Sequence, residues 1–283
     1  MIGVDIGGTN LLVGIVEDGS VTKRLHAPIV KRGDFEAVAK QTCERILQLG
    51  ATDLDSIGIS IAGSVDVNKG VVLRAQNLDW DNAPLASYVS AELGCRVVIE
   101  NDVTAAAWGE FTYGAGAGSD SIFAVWIGTG IGGGLILDGK IWRGPLGTGG
   151  EFGMGISNPE PTAKNRVLES FASRSGLQHV MRNPNLDTPT LAAAYGKDTN
   201  ITETVNDGAR RIGTSIANVV TLLSLDRVVL GGGLVEALGE PYMQCIRNQF
   251  TADVFPPHCQ QCTFAMTQLG PDAGMLGAAA LAS

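Results

Sequence analysis

Two glycine-rich turns carry much of the chemistry this sequence can do. Gly7-Gly8-Thr9 follows the apolar run Ile2–Ile6, and the stretch Gly128-Thr129-Gly130-Ile131-Gly132-Gly133-Gly134 follows Ile122–Ile127. A glycine turn between strands presents successive backbone N–H groups to an anion, and the missing Cβ atoms let oxygens come close. Thr9 and Thr129 add hydroxyl donors. A third turn, Gly231-Gly232-Gly233, follows the short strand Arg227–Leu230. One such turn alone reads as a structural hairpin, whereas three at strand ends point to phosphate binding. Context excludes two other phosphate motifs. Gly128–Gly133 matches GxGxxG, but a strand and hairpin follow where a dinucleotide site needs a helix. Gly134–Lys140 approaches GxxxxGK[ST], but Ile141 stands at the hydroxyl position and the Lys sits beside a hairpin turn.

Four carboxylates are candidates for the rest of the chemistry. Asp5 interrupts an apolar strand, where a charge is costly unless paired or holding a cation. At the mouth of a phosphate site it can organise Mg²⁺, through water. Asp102 follows the strand Arg96–Glu100 and Asn101, and precedes a helix. Its position fits a helix N-cap, and fits equally a general base at the carboxyl end of a strand, where α/β ligands collect. Glu151 and Glu169, taken alone, are ordinary surface acids, but carboxylates also suit the hydroxyls of a sugar.

These residues need elements to hold them. Strands are expected over Ile2–Ile6, Leu11–Val16, Val21–Leu25, Ser56–Ile61 and Arg96–Glu100. Helices are expected over Asp34–Leu49, with Asp34 as N-cap and Gly50 as stop, over Pro84–Leu93, and over Val103–Phe111. The second half repeats the opening. Strand Ile122–Ile127, the glycine turn, strand Leu135–Leu137, Asp138-Gly139 and return strand Lys140–Trp142 mirror the order of the first twenty-five residues, where Asp18-Gly19 makes the hairpin. The glycine turn and the Asp-Gly turn lie about ten residues apart in both copies, which implies a duplicated domain. Helices at Arg166–Met181, Thr202–Leu223, Val235–Phe250 and Asp272–Leu281 complete the pattern. The expected division is an N-terminal lobe of residues 1–110, completed by 271–283, and a larger lobe of 111–270.

The bulk numbers remove other classes. The 283 residues include 38 glycines and are 45% hydrophobic, which is too apolar for a disordered chain. A net charge of −9 with no basic block argues against nucleic acid. No apolar run reaches the length of a membrane span, and the start shows no signal peptide, so a cytoplasmic protein is the default. Five scattered cysteines form no disulfide framework. Cys259-Gln-Gln-Cys262 is a CxxC beside His258, but a zinc site needs about four ligands and no second pair follows, so free thiols near a strand are the expectation.

Together the motifs resemble the ROK sugar kinases, within the actin/hexokinase/Hsp70 ATPase superfamily, nearly end to end. Asp5-Ile-Gly-Gly-Thr9-Asn10 resembles the first phosphate motif, and Gly128–Gly134 the second. Ile59–Asp66, with Gly63, resembles G-x-P-G-x-V-D. Asn77-Leu-Asp-Trp80 resembles the family's sugar segment, Glu100-Asn101-Asp102-Val-Thr-Ala-Ala-Ala107 its catalytic segment, and Gly150-Glu151-Phe-Gly153 its G-E-x-G-H. Val229–Gly233 resembles the adenosine motif. The resemblance implies two α/β lobes with duplicated mixed sheets and a cleft between them. It implies ATP, Mg²⁺ and a hexose or amino-hexose phosphorylated on its terminal hydroxyl, with dimers common. Carried over, Asp102 is the base; Gly63, Asn77, Asn101, Asp102, Glu151 and Glu169 hold the sugar. Gly7, Gly8, Thr9, Thr129 and Gly130 hold phosphates, Asp5 the magnesium, and Gly231 and Gly232 lie near adenosine.

The chain departs from the pattern at the family's zinc motif. Met154 stands where His follows Glu-x-Gly, and 156–166 contains neither Cys nor His. No structural zinc is expected. Ala62 replaces a common Pro, and Asn10 a frequent Lys. A glucokinase-type activity leads. An N-acetylhexosamine or fructose acceptor, or polyphosphate as donor, are variants on it. A non-catalytic sugar sensor is the reading from another class, although the chain offers no room before Asp5 for a helix-turn-helix.

Overall fold

Alternation and a tight turn build the first sheet. In the computed structural model, which describes residues 1–50 and 55–283, strand β1 (Ile2–Ile6) buries every side position except Asp5. It pairs antiparallel with β2 (Asn10–Glu17), which turns through Asp18 and Gly19 into β3 (Ser20–Pro28). Both turn residues have positive φ, 48° and 73°, the geometry a two-residue hairpin demands. Helix α1 (Phe35–Gln48) is capped by Asp34, whose carboxylate accepts from the Ala37 N–H at 3.1 Å. Strand β4 (Ser56–Ile61) lies parallel to β1. A small sheet of β5 (Ser64–Asp66), β6 (Val71–Ala75) and β7 (Trp80–Ala83) follows, then helix α2 (Leu85–Leu93), strand β8 (Arg96–Asn101) and helix α3 (Asp102–Tyr113). The main sheet runs β3-β2-β1-β4-β8. Its core is aliphatic, with Val4, Ile6, Val38, Ile46, Ile57, Ile59 and Leu85 fully buried. The C-terminal helix Ala273–Ala282 also packs on this sheet. A Cβ on Gly58 would collide with the carbonyl of Ala278, so the helix can lie this close only over glycine.

The second sheet repeats the opening hairpin. Strand β9 (Ile122–Ile127) pairs with β10 (Ile131–Leu137), and Asp138 and Gly139 turn the chain into β11 (Lys140–Ile141) with φ of 50° and 70°. After helices α4 (Glu169–Ala172), α5 (Arg174–Val180), α6 (Thr188–Ala194) and α7 (Thr199–Leu223) come β12 (Arg227–Gly231), α8 (Gly233–Asp253) and β13 (Thr263–Met266). The order is β11-β10-β9-β12-β13. Phe123, Ile212, Ile216, Leu230, Tyr242 and Ile246 lie at its core.

The chain divides into two compact units. One comprises 1–117, 141–149 and 269–283; the other comprises 118–140 and 150–268. The segment 141–149 thus groups with the first unit, where the sequence reading runs the second lobe unbroken from 111 to 270. Among the described residues no helix is long and apolar enough to cross a membrane.

The structure corrects three local expectations. The glycine turn ends at Gly130, and Gly132, Gly133 and Gly134 lie in β10, paired with Trp126, Val125 and Ala124. The absent side chain at Gly133 makes room for Phe123 and Phe152, whose rings meet edge-on at 4.9 Å. The helix expected over Arg166–Met181 breaks at Ser173, which is extended and caps α5 by accepting from Gly176 N–H at 2.9 Å. The return strand expected to reach Trp142 ends at Ile141.

Candidate active site

In the first unit the site grows from the carboxyl ends of β1, β4 and β8. Asp5, the next-to-last residue of β1, is half-buried, and Ser60 of β4, fully buried, donates its hydroxyl to Asp5 Oδ1. Burial pushes the Asp5 carboxyl up, against the lowering effect of the Ser60 bond. At the end of β8, Asn101 leaves the strand with φ −58° and ψ 143° and caps α3. Its Oδ1 accepts from Val103 N–H and Thr104 N–H, both at 3.0 Å. Its Nδ2 donates to the Gly63 carbonyl at 3.0 Å and to Asp102 Oδ1 at 2.9 Å. Capping therefore falls to Asn101, and Asp102 is the first helical residue. Asp102 Oδ1 also accepts from Val103 N–H at 3.0 Å. Burial first, and then the negative charge of Asp5, push the Asp102 carboxyl up to about 7. That is the range in which a carboxylate takes a proton efficiently at neutral pH.

Two further contacts shape the first unit's turn. Gly8, in the turn after β1, lies so close to Asn77 that a Cβ would stand 2.7 Å from the Asn77 Cβ. The Asn77 carbonyl accepts from Arg32 Nε at 2.7 Å, which fixes the 3₁₀ turn Gln76–Leu78. Gly7 N–H donates to the Asn10 carbonyl at 2.9 Å and closes the turn, leaving Thr9 exposed at its tip.

The second unit holds the other expected residues. Gly128 N–H donates to the Gly130 carbonyl at 2.9 Å and closes a turn with Thr129 exposed at its tip. Glu169, opening α4, accepts from Ile131 N–H at 2.7 Å, and a Cβ on Gly130 would meet its Oε2 at 2.5 Å. Glu169 thus braces the Gly128–Gly130 turn. Gly231 ends β12 against the Trp126 ring, and Gly232 (φ 91°) leads into α8 within 2.7 Å of Ile127 for an added Cβ. Glu151 is exposed ahead of the 3₁₀ turn Phe152–Met154.

The whole chain, residues 1–283, matches the model of the ROK family. The chain belongs to the ROK family. The glucokinase of Streptomyces coelicolor is 30% identical over 99% of this chain and 96% of its own length. Two solved ROK structures share the fold. One is a Streptomyces griseus ROK glucokinase in complex with glucose and AMPPNP, with TM-score 0.84 and 30% identity over 100% of this chain and 98% of that one. The other is a Thermus thermophilus ROK hexokinase, with TM-score 0.87 and 28% identity over 100% and 97%. The mixed α/β, actin/hexokinase-like fold implied by the motifs is the fold observed.

Met154 and the Cys- and His-free stretch 156–166 supply no thiolate or imidazole for a zinc ion. The segment after Met154 closes on itself instead. Ile156 bridges Val167, Ser157 N–H donates to the Arg166 carbonyl at 2.8 Å, and Leu168 N–H donates to the Gly155 carbonyl at 2.8 Å. Among the described residues no three His, Cys, Asp or Glu side chains gather as a metal site. Cys262 is buried, and burial pushes its thiol up to about 12, far from a ready thiolate.

Four contributors are missing from the expected site residues. Ser60 is a polar residue inside an apolar strand, a visible signal without a visible partner. Glu100, 3% exposed, accepts from Arg143 Nε at 2.8 Å and from Asn101 N–H at 2.9 Å. Nothing in the local sequence marks Arg143. Arg174 donates to Thr129 Oγ1 at 2.6 Å.

Proposed function

We propose that this sugar kinase transfers the terminal phosphate of ATP to the 6-hydroxyl of glucose, with Asp102 as general base. The observation that carries the reading is the division of labour at the start of α3. Asn101 caps the helix and steers Asp102 Oδ1, so the Asp102 carboxylate is held by bonds that fix its direction.

The chain's own groups supply the remaining work. Asp102 takes the hydroxyl proton as the oxygen attacks phosphorus. Asn77, Asn101, Glu151 and Glu169 hold the sugar hydroxyls, and Gly63 acts through the carbonyl that Asn101 grips. Gly7, Gly8, Thr9, Thr129 and Gly130 hold phosphates through turn N–H groups and hydroxyls, with Gly231 and Gly232 beside the adenosine. Mg²⁺ suits Asp5, a half-buried carboxylate whose charge a nearby cation would stabilise. A water-mediated, phosphate-shared ion needs no cluster of protein carboxylates. When bound, it neutralises the charge of the transferring phosphates.

A coupled assay tests the reading: glucose, fructose, mannose and N-acetylhexosamines as acceptors, with ATP or polyphosphate as donor. Glucose with ATP is expected to give the highest kcat/KM, and Asp102→Asn to lose at least 10²-fold in turnover. Sugar binding with no turnover across the panel would favour a sensor.

A further inference from the structure

The phosphate turn of the second unit has a cation built beside it that no motif assigns. The Arg174 backbone N–H donates to the Gly128 carbonyl at 2.9 Å, and Ser175 N–H to the Thr129 carbonyl at 3.2 Å. The Arg174 Nη2 donates to Thr129 Oγ1 at 2.6 Å. Main chain and side chain thus both tie the residue to the turn. The side chain is half-buried, Thr129 is exposed, and among the described residues Arg174 forms no ion pair with a carboxylate. The carboxylate that feels its charge is Asp187, which is held below the usual range first by its Thr190 bonds and only then by Arg174. A guanidinium has five donors in a planar fork, and Thr129 takes one. In the other unit, the turn after β1 sets the Asn10 amide beside Thr9 Oγ1 at 3.2 Å, not a cation.

We propose that Arg174 is a further ligand for the phosphates of the donor, lending a fixed positive charge to the Gly128–Gly130 turn. The proposal rests on the reading of ATP as donor. Because Thr129 and the turn already hold the side chain, little rotamer freedom is left to lose when an oxyanion binds. A charge-assisted bond to phosphate outweighs a neutral one.

The test is calorimetric titration of the full chain, with Mg²⁺, using AMP, ADP and a non-hydrolysable ATP analogue. The variants are Arg174→Gln, which keeps a donor for Thr129 but loses the charge, and Arg174→Lys. Thermal unfolding checks that each variant is folded. Arg174→Gln is expected to weaken the ATP analogue about tenfold or more, ADP less and AMP least, with Arg174→Lys recovering part of the loss. Equal affinities in wild type and Arg174→Gln would overturn the proposal while leaving the ATP reading intact. So would a loss of the same size for all three nucleotides, which marks a purely structural brace. Failure of the wild type to bind any nucleotide would overturn the donor reading itself, and the Arg174 role with it.

Discussion

Asn101 donates its side-chain amide to Asp102 Oδ1 at 2.9 Å while its own Oδ1 caps the helix that Asp102 begins. One side chain thus performs two separable tasks. Asn101→Ser keeps an oxygen for the cap but loses the amide that reaches Gly63 and Asp102. It is expected to keep stability within about 0.5 kcal/mol and to lose at least tenfold in kcat. Asn101→Ala loses both, adding about 1 kcal/mol of destabilisation. Urea unfolding together with steady-state kinetics separates the two effects, and equal kcat losses with unequal stability losses are the expected signature.

Asp102 also carries a pH prediction. Burial and Asp5 raise its carboxyl from the ordinary aspartate range to about 7 in the folded chain. A carboxyl with a raised folded pKa binds more protons folded than unfolded between roughly pH 4 and 7, so stability falls as pH rises through that window. Asp102→Asn removes this penalty. At pH 8 the variant is expected to melt above the wild type, and at pH 4 the two should converge. Turnover moves oppositely: wild-type kcat/KM should fall as pH drops below about 7, because the base becomes protonated. Thermal melts of the ligand-free protein at both pH values, and a pH–rate profile, check the two halves independently.

The same residues show how much the sequence discloses. Both hairpins are legible because Asp18-Gly19 and Asp138-Gly139 accept positive φ at both turn positions. The two glycine turns after β1 and β9, and the place of Asp102 after β8, are legible because glycine, threonine and aspartate stand at strand ends. Gly132–Gly134 are misread as turn because glycine lacks a side chain for two different reasons. In a turn it frees φ, and at Gly133 it yields space to Phe123 and Phe152 inside a strand. The cap is ambiguous because Asn101 and Asp102 are adjacent and both competent, and only the backbone angles at Asn101 decide between them. Arg143 is illegible because its partner lies 43 residues away and its own segment carries no period.

That distant partner yields a prediction of its own. Glu100 is 3% exposed and binds Arg143 through one oxygen and Asn101 N–H through the other. Arg143→Met would strand a buried charge one residue before Asn101, a loss of about 3 kcal/mol or more. Glu100→Gln can still accept from Asn101 N–H and should cost less. The double variant Glu100→Gln/Arg143→Met is expected to be more stable than Arg143→Met alone. Urea denaturation of the three variants and the wild type closes the cycle, and simple additivity would refute the coupling.

The segment 155–168 predicts indifference to chelators. This segment is closed by backbone bonds and by Arg211 of α7. Arg211 Nη1 donates to Ser157 Oγ at 3.3 Å, its Nε donates to Asp207 Oδ2 at 2.7 Å, and its guanidinium lies 4.3 Å from the Phe171 ring centre. Phe171 stands two residues from Glu169, so whatever steadies this ring also steadies the Glu169 brace on the Gly128–Gly130 turn. Prolonged EDTA treatment followed by dialysis is expected to leave the melting temperature unchanged. Arg211→Ala is expected to lower it by a few degrees, corresponding to about 1–2 kcal/mol. Elemental analysis of the purified chain should find zinc well below one atom per molecule. A stoichiometric zinc whose removal lowers the melting temperature would show that another ligand set does the work assigned to Arg211.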